Sequence, residues 1–368
     1  SLGMCGAQEM TVGAGCVLDG YNSGLGTFES QAVTQGGVLT TGNGASVNSN
    51  FNIKVLGTVS TPNVPLAPAT WVYGDAHPGK DQTVITMPNA TVTGSTSPNL
   101  KALTLPQIVV PAITSLGSLT LTTGSLITMA DREFRYDSLR IERGGVLTVK
   151  GPVILSIGSL VMDNSSMIKF DTTAGPITLY VMDYLSCASG STIASVPRDP
   201  KNVAILVSAS LTVDRNGDGI ADPPVHIASS GELSAMLYAP NANVNIPQTL
   251  RVFGSITAKK LTYATGARGT YDKALVASAN TMKSLPTVVS WQIVELPDTP
   301  LVKSNADALT VLAKEGVVPI KSAVAHMEDK INIVYTDSAG NVQHYNGLSS
   351  AFDFTAVRSV INKSWTKN

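Results

Sequence analysis

GELSAMLYAPNANVNIPQTLRVFGSITAKKLTYATGARGTYDKAL, residues 231–275, is the stretch whose reading decides the fold. Short apolar runs at 235–238, 244–246, 250–253, 255–258 and 261–263 alternate with turn-forming Pro240, Asn241, Pro247, Gly254 and Gly266. That rhythm is too quick for helices and reads as successive rungs of a parallel β-solenoid.

Working outward, residues 115–210 carry the cleanest pattern. Strict alternation puts Leu119 and Leu121, Leu147 and Val149, Val153, Leu155 and Ile157, Leu160 and Met162, and Ile177, Leu179 and Val181 on one side of their strands. Turn signals follow each set, among them Thr123-Gly124, Gly151-Pro152, Asp163-Asn164 and Gly190-Ser191. One rung cannot bury its own inward face, so rungs must stack; at about 20 to 25 residues each they number on the order of ten. The competing antiparallel sandwich needs hairpins at regular spacing and a richer aromatic core than 5% supplies.

Residues 51–115 mix brief strands with proline-bearing connections at Pro62, Pro65, Pro68, Pro78, Pro88 and Pro98, which belong at corners because proline removes a ladder donor. LPQIVVPAI, residues 105–113, reads as an extended strap rather than a rung. Residues 1–50, rich in Gly, Asn, Ser and Thr, read as an irregular N-terminal cap, and residues 51–297 as the solenoid. Residues 298–368 read as a small α/β appendage: a helix capped near Asn305 and ended by Gly316, a hairpin from Lys330–Tyr335 and Val342–Tyr345, and a last helix begun by Asp353 with Val357, Val360, Ile361 and Trp365 at helical spacing. Such an appendage would cover a sheet edge.

Composition excludes several classes. With 43% hydrophobic residues the chain buries a core, while 14% charged residues and a net charge of -1 leave no field to draw in nucleic acid or an anionic membrane. No run of 18 apolar residues exists, so no membrane span is expected. Low charge with abundant Ser, Thr, Asn and Gly suits a secreted surface.

Several phrases resemble a known family. Tyr238-Ala239-Pro240-Asn241-Ala242, Phe253-Gly254-Ser255-Ile256, Tyr271-Asp272 and Ala274-Leu275, with looser matches at Asp19-Gly20-Tyr21-Asn22-Ser23 and Pro200-Lys201-Asn202-Val203-Ala204-Ile205, resemble the β-helical domain of unknown function of bacterial type IV pilus-assembly and related cell-surface proteins. The resemblance runs over about residues 17–295. It implies an all-β fold, a right-handed parallel β-helix, and an extracellular, cell-surface location with pilus or envelope proteins as partners; it brings no catalytic motif. Such relatives begin with a prepilin-type helix, so its removal by processing, or a different anchoring, is expected ahead of Ser1.

The sharpest chemical motif is the loop Asp214-Arg215-Asn216-Gly217-Asp218-Gly219-Ile220-Ala221-Asp222. Oxygen donors at alternate positions and a glycine at the sixth match the first nine positions of an EF-hand-type calcium loop, as in dockerin and thrombospondin repeats, with Asp214, Asn216, Asp218, the Ile220 carbonyl and Asp222 as ligands. Val225 stands where a bidentate acid belongs, which keeps a plain turning loop in contention. Cys5 and Cys16, with ten residues between them in a glycine-rich stretch, are expected to form a disulfide pinning the N-terminal end, with Cys187 a buried small hydrophobe.

Carbohydrate-cleaving solenoids group carboxylates on one outer sheet. The charged stretch here interleaves Asp131, Glu133, Asp137 and Glu142 with Arg132, Arg135, Arg140 and Arg143, the pattern of a self-paired solvent face. His77, His226, His326 and His344 are scattered, and Asn241, Asn243 and Asn245 form an asparagine ladder or a polar outer face for sugars. The favoured function is therefore a non-enzymatic structural or adhesive subunit. The alternatives are a polysaccharide-cleaving enzyme on the same scaffold and a filament or matrix protein whose copies stack on one another.

Overall fold

The computed structural model describes residues 3–35, 37–57, 69–130, 133–210, 212, 222–228 and 230–275, and the backbone of three further strands, Lys330–Asp337, Val342–Leu348 and Val357–Thr366. The chain divides into two compact units, Ser1–Lys283 and Ser284–Asn368.

The first unit is almost entirely β. An N-terminal block supplies β1 (Met4–Val12), β2 (Val17–Tyr21), a one-turn helix α1 (Phe28–Gln31), a small hairpin of β3 (Val33–Gln35) and β4 (Val38–Thr40), then β5 (Ala45–Ser49), β6 (Ile53–Val55), β7 (Thr70–Val72), β8 (Gly74–His77), β9 (Val84–Thr86) and β10 (Ala90–Val92). A main block follows: β11 (Ser118–Leu121), β12 (Leu126–Ala130), β13 (Glu133–Ile141), β14 (Val146–Lys150), β15 (Val153–Met162), β16 (Met167–Asp171), β17 (Ile177–Cys187), β18 (Thr192–Ser195), β19 (Val203–Val207), β20 (Val225–Ile227), β21 (Gly231–Ile246), β22 (Leu250–Tyr263) and β23 (Arg268–Asp272). Among the described residues of this unit every pairing apart from the β3–β4 hairpin is parallel, and together they make one 21-stranded sheet system.

The pairings form three rows, in which each strand lies parallel to its neighbours. In the central row Phe134, Leu155, Leu179, Ile205, Leu237, Ile256, Met4, Val47 and Ala76 stand one above another, all buried. A second row runs through Ile127, Leu147, Ile168, Ile193, Leu233, Val252, Gly269, Leu18, Val72 and Val92. The third begins Leu121, Ile141, Met162, Cys187 and ends Ile246, Tyr263, Val12, Val55. Alternation thus does what the pattern predicts: inward positions of the three rows share one hydrophobic core.

Corners are marked by glycine. Gly254 holds φ 122° inside the long strand β22, and a Cβ there would stand 2.2 Å from the Ala235 carbonyl oxygen of the strand beneath, so a strand passes from one row to the next without a loop. At Gly269 the missing side chain is itself the packing device: a Cβ would meet the Tyr263 hydroxyl at 2.7 Å.

The spatial order departs from chain order, and with it from the expected cap. β1 pairs with β22, and β2 with β23. Residues 4–21 therefore continue the sheet rows beyond the last strand of the main block, and β5 to β10 extend them further. Glycine and hydroxyl residues made this region look irregular; its inward Met4, Met10, Val12, Leu18 and Val47 supply the alternation.

The expected Cys5–Cys16 bridge is not formed; both thiols are free and buried. Cys5 lies in β1 opposite Thr257, whereas Cys16 follows the far end of that extended strand and donates from Sγ to the Ala264 carbonyl at 3.0 Å. An extended strand between them keeps them apart.

In the second unit β24 (Lys330–Asp337) is flanked antiparallel by β25 (Val342–Leu348) and β26 (Val357–Thr366). The hairpin is as expected, but the helix expected from Asp353 onward is replaced by β26. Val357, Val360, Ile361, Trp365 and Thr366 are strand-favouring residues, and β24 offers them a free edge. The expected helix at 304–316 lies outside the described residues.

Candidate functional site

The place where most of the unusual chemistry gathers is the seam between the two blocks. Inside it, Tyr263 at the end of β22 fills the space left by Gly269, and its hydroxyl donates to Met4 Sδ at 2.9 Å. Burial pushes the Tyr263 phenol well above its ordinary range. The same cause raises the Cys5 thiol to about 12 and the Cys16 thiol to about 11.

Outside the rows, Tyr21 from the end of β2, Phe28 from α1 and Phe253 from the corner of β22 form an edge-to-face aromatic trio with centroid separations of 6.1, 6.3 and 5.5 Å. Arg198, from the connection between β18 and β19, lies 4.1 Å over the Phe253 ring. Its Nε and Nη2 donate to the two Glu232 oxygens at 3.0 and 2.9 Å, and Nη1 donates to Glu29 of α1. Burial works against the guanidinium's charge, but Glu232 and then Glu29 hold its pKa above the usual value. Both edges and one face of Arg198 are thus occupied by groups from three separate parts of the chain.

Asp272 closes the other side of the trio. Its Oδ1 accepts from the Ser23 and Ala274 amides, each at 3.0 Å, and the residue is fully buried. Its Oδ2, the Tyr21 hydroxyl and the Ser23 hydroxyl are buried without a protein partner. Burial, with the Asp272 charge next, pushes the Tyr21 phenol far up. Below it, Asp19 Oδ2 accepts from the Thr40 hydroxyl and the Thr41 amide, both at 2.9 Å, which ties the excursion after β2 back to the sheet. Burial raises the Asp19 carboxyl against hydrogen bonds from Thr41, Thr270 and Thr40. Two further contacts complete the seam: Lys260 to Glu9 at 3.0 Å, partly buried, and Lys273 to Asn43 at 3.0 Å, exposed.

The two blocks are joined along the outside by the strap expected at 105–113. Leu103 is held by the Asn50 side chain through both its amide and its carbonyl. The Tyr238 hydroxyl donates to the Pro106 carbonyl at 2.6 Å, Arg135 reaches the Ile113 carbonyl at 3.3 Å, and the Leu116 amide donates to the Arg135 carbonyl at 2.8 Å. Leu103, Leu105, Ile108, Val110 and Ile113 are half-buried while Thr104, Gln107, Val109 and Ala112 are exposed. The strap crosses an outward row that includes Arg135, Tyr180, Tyr238, Cys5 and Asn48.

Other sequence-predicted sites fall elsewhere. Asp214, Asn216, Asp218 and Ile220 lie outside the described residues; Asp222 is half-buried at their edge. Among the described residues no group of three or more His, Cys, Asp and Glu side chains is placed to hold a metal ion. In the charged stretch the partners are neighbours rather than one another: Arg140 pairs with Asp163 at 2.8 Å, Asp137 accepts from the Ser115 hydroxyl and Glu142 from Thr123. Asp131 and Arg132 lie outside the described residues. Asn243 and Asn245 are exposed but stand opposite Lys260 and Thr262, so they make a polar outer face rather than an asparagine ladder. His77 contacts the Ser97 carbonyl at 2.8 Å, and His326 lies outside the described residues. Arg198 and Glu232 carried no signal in the sequence. Tyr21, Phe253 and Asp272 did, as pieces of separate phrases.

A family model described as a domain of unknown function (DUF7305) matches residues 143–278. That span is shorter than the resemblance read from the sequence. It includes Arg198, Glu232, Phe253 and Asp272, and nothing in the match links it to type IV pilus proteins. No curated protein matches the chain, and no solved structure does so either.

Proposed function

We propose that this chain is a non-enzymatic, extracellular structural or adhesive subunit of a pilus-type or cell-surface assembly, built as a right-handed parallel β-solenoid. The observation that carries the reading is the unbroken register of buried side chains through the central row, from Phe134 to Ala76. Stacking of this kind makes a stiff body whose stability is a sum of neighbour contacts, suited to bearing load or presenting a flank. The polar outer row with Asn243, Asn245 and Thr262 is the flank on which surface glycans would sit. Handedness and location follow from the family resemblance. Among the described residues no helix is long and apolar enough to cross a membrane, so anchoring falls to a partner, to a segment outside those residues or to a strand-based device.

Immunogold labelling of intact cells that make the protein tests the location: surface label is expected, and label confined to the cell interior would overturn the reading. Incubation with acidic and neutral glycans tests the enzymatic alternative. Reducing ends released by the parent and not by Asp137→Ala would replace a structural role with catalysis. Calcium at Asp214, Asn216, Asp218, Ile220 and Asp222 belongs to the same proposal as a stiffener of the loop between β19 and β20. Chelation should lower the melting temperature of the parent and leave Asp218→Ala unchanged; an identical parent melt with and without chelator removes the ion.

A further inference from the structure

We propose that the seam also forms between copies: β1 and β2 of one chain dock on β22 and β23 of a second copy, and the strap is the hinge whose length selects the closed monomer or the exchanged assembly. This stands on the contacts of the seam and the reach of the strap and does not require the surface assignment above.

Three observations carry it. First, the contacts that hold the N-terminal block in place join residues far apart in sequence: Met4 and Tyr263 are 259 residues apart, Glu9 and Lys260 are 251, and Glu29 and Arg198 are 169. Each would be made identically by a second copy, because the interface is a run of parallel backbone pairs plus one aromatic and ionic clasp.

Second, the blocks are connected through residues 100–117, which bond backbone to a strand only where Leu116 and Gly117 meet β13 and are otherwise held at Asn50, Tyr238 and Arg135. Releasing the strap costs a few hydrogen bonds and a half-buried apolar edge, whereas the seam itself is remade in the exchanged form.

Third, the strap is under a length constraint. Its backbone anchors, Leu103 beside Asn50 and Leu116 on Arg135, are separated by the successive pairings of β13 with β15, β17, β19, β21, β22, β1 and β5. Leu116 itself lies one spacing outside β13, on the β11 side, so at about 4.8 Å per pairing the span is about 38 Å. The intervening chain reaches at most about 43 to 47 Å when extended at about 3.3 to 3.6 Å per residue. Closure within one chain is therefore possible with modest slack. Removing residues 105–110 leaves a reach of about 23 to 25 Å between those anchors, too short to span the stack, so closure within one chain must give up an anchor whereas docking on a second copy need not.

The test uses the full chain. Deletion of residues 105–110 should convert a monomer into dimers or larger species by light scattering, with the β circular-dichroism signal retained. A folded monomer whose Cys5 is still protected from alkylation would overturn the proposal. In case the deletion does not fold, a second arm uses Thr11 and Thr262, partly exposed register partners across the seam. Thr11→Cys and Thr262→Cys chains of different tag are unfolded together, refolded at high concentration and oxidised. A disulfide-linked heterodimer well above the like-with-like background is expected. Its absence, when the double variant closes fully within one chain, would overturn the proposal.

Discussion

The two blocks of the first unit follow the same three rows with different resources. In the main block strands run long, ten residues in β15, eleven in β17 and sixteen in β21, and inward positions are filled chiefly by Leu, Ile, Val and Phe. In the N-terminal block β6, β7, β9 and β10 have three residues each, and at its far end Val84, Ala90 and Val92 are only partly buried. The small block also interrupts its rows with the excursion from Asn22 to Gly44 that carries α1 and the β3–β4 hairpin. A parallel stack gains its stability from neighbours. The main block supplies its own, while the N-terminal block draws its share from β22, β23 and the clasp around Phe253.

The largest expected effect follows from removing the clasp's centre. Phe253→Ala takes away two aromatic contacts and the surface under Arg198, a loss of about 3 to 5 kcal/mol for a buried phenylalanine. The cost should fall on the N-terminal block. Cys5 and Cys16 sit at the seam and Cys187 in the third row of the main block, all three buried, so alkylation under mild denaturant should reach the first two before the third. Equal labelling rates at all three thiols would mean that the two blocks open as one.

A smaller effect separates the two ion pairs of Arg198. Glu232 is bidentate and its side chain is 20% exposed, whereas Glu29 is 49% exposed. A double-mutant cycle of Arg198→Met with Glu232→Gln should give about 1 to 2 kcal/mol, and the cycle with Glu29→Gln should stay within the about 0 to 1 kcal/mol of exposed pairs. Methionine keeps an apolar stem over the Phe253 ring, so the cycle reads charge rather than packing. Equal couplings would show that Arg198 is held by the ring and not by the carboxylates.

Much of the main block was legible because its determinants are local. Alternation of Leu147 and Val149, or of Leu155 and Ile157, fixes which side faces inward, and the glycine and proline signals fix the corners. The strap was legible too, since Pro106 and Pro111 forbid a regular ladder on both edges. The seam was not. Pairing of Met4 with Ile256 leaves no periodic trace, and the glycines of β1 and β2 disguise inward residues as a cap. Tyr21, Phe253 and Asp272 were visible as separate phrases, and a hint of their meeting was present: Phe253 follows inward Val252, so an aromatic ring stands on a face that alternation assigns to the outside. Arg198 and Glu232 look like any surface charges until the fold brings them together. The segment 357–366 shows the converse failure, where branched residues at helical spacing were equally good strand formers and the open edge of β24 decided.

The smallest effect is in pH, and its sign differs between two carboxyls of the same seam. Asp19 is held above its ordinary range by burial, so it binds its proton more tightly folded than unfolded. Its contribution is full below the unfolded value of about 3.9 and is lost as the pH rises through the folded value. Glu9 is held below its range chiefly by the Lys260 hydrogen bond, so its contribution is present above about 4.3 and is lost as the pH falls through its folded value. Asp19→Asn keeps an acceptor for Thr40 and Thr41 and removes the ionisation. Relative to the parent it should gain stability steadily as the pH climbs from about 4, then level off once the parent's Asp19 has ionised. Glu9→Gln should lose a little at neutral pH and converge with the parent in acid, a difference kept within about 0 to 1 kcal/mol by the exposure of the pair. Melting curves of the two variants across the acid range should therefore bend in opposite directions against the parent. Profiles parallel to the parent's would mean that neither carboxyl feels the seam, and that the N-terminal block is held by its backbone pairs and the aromatic trio alone.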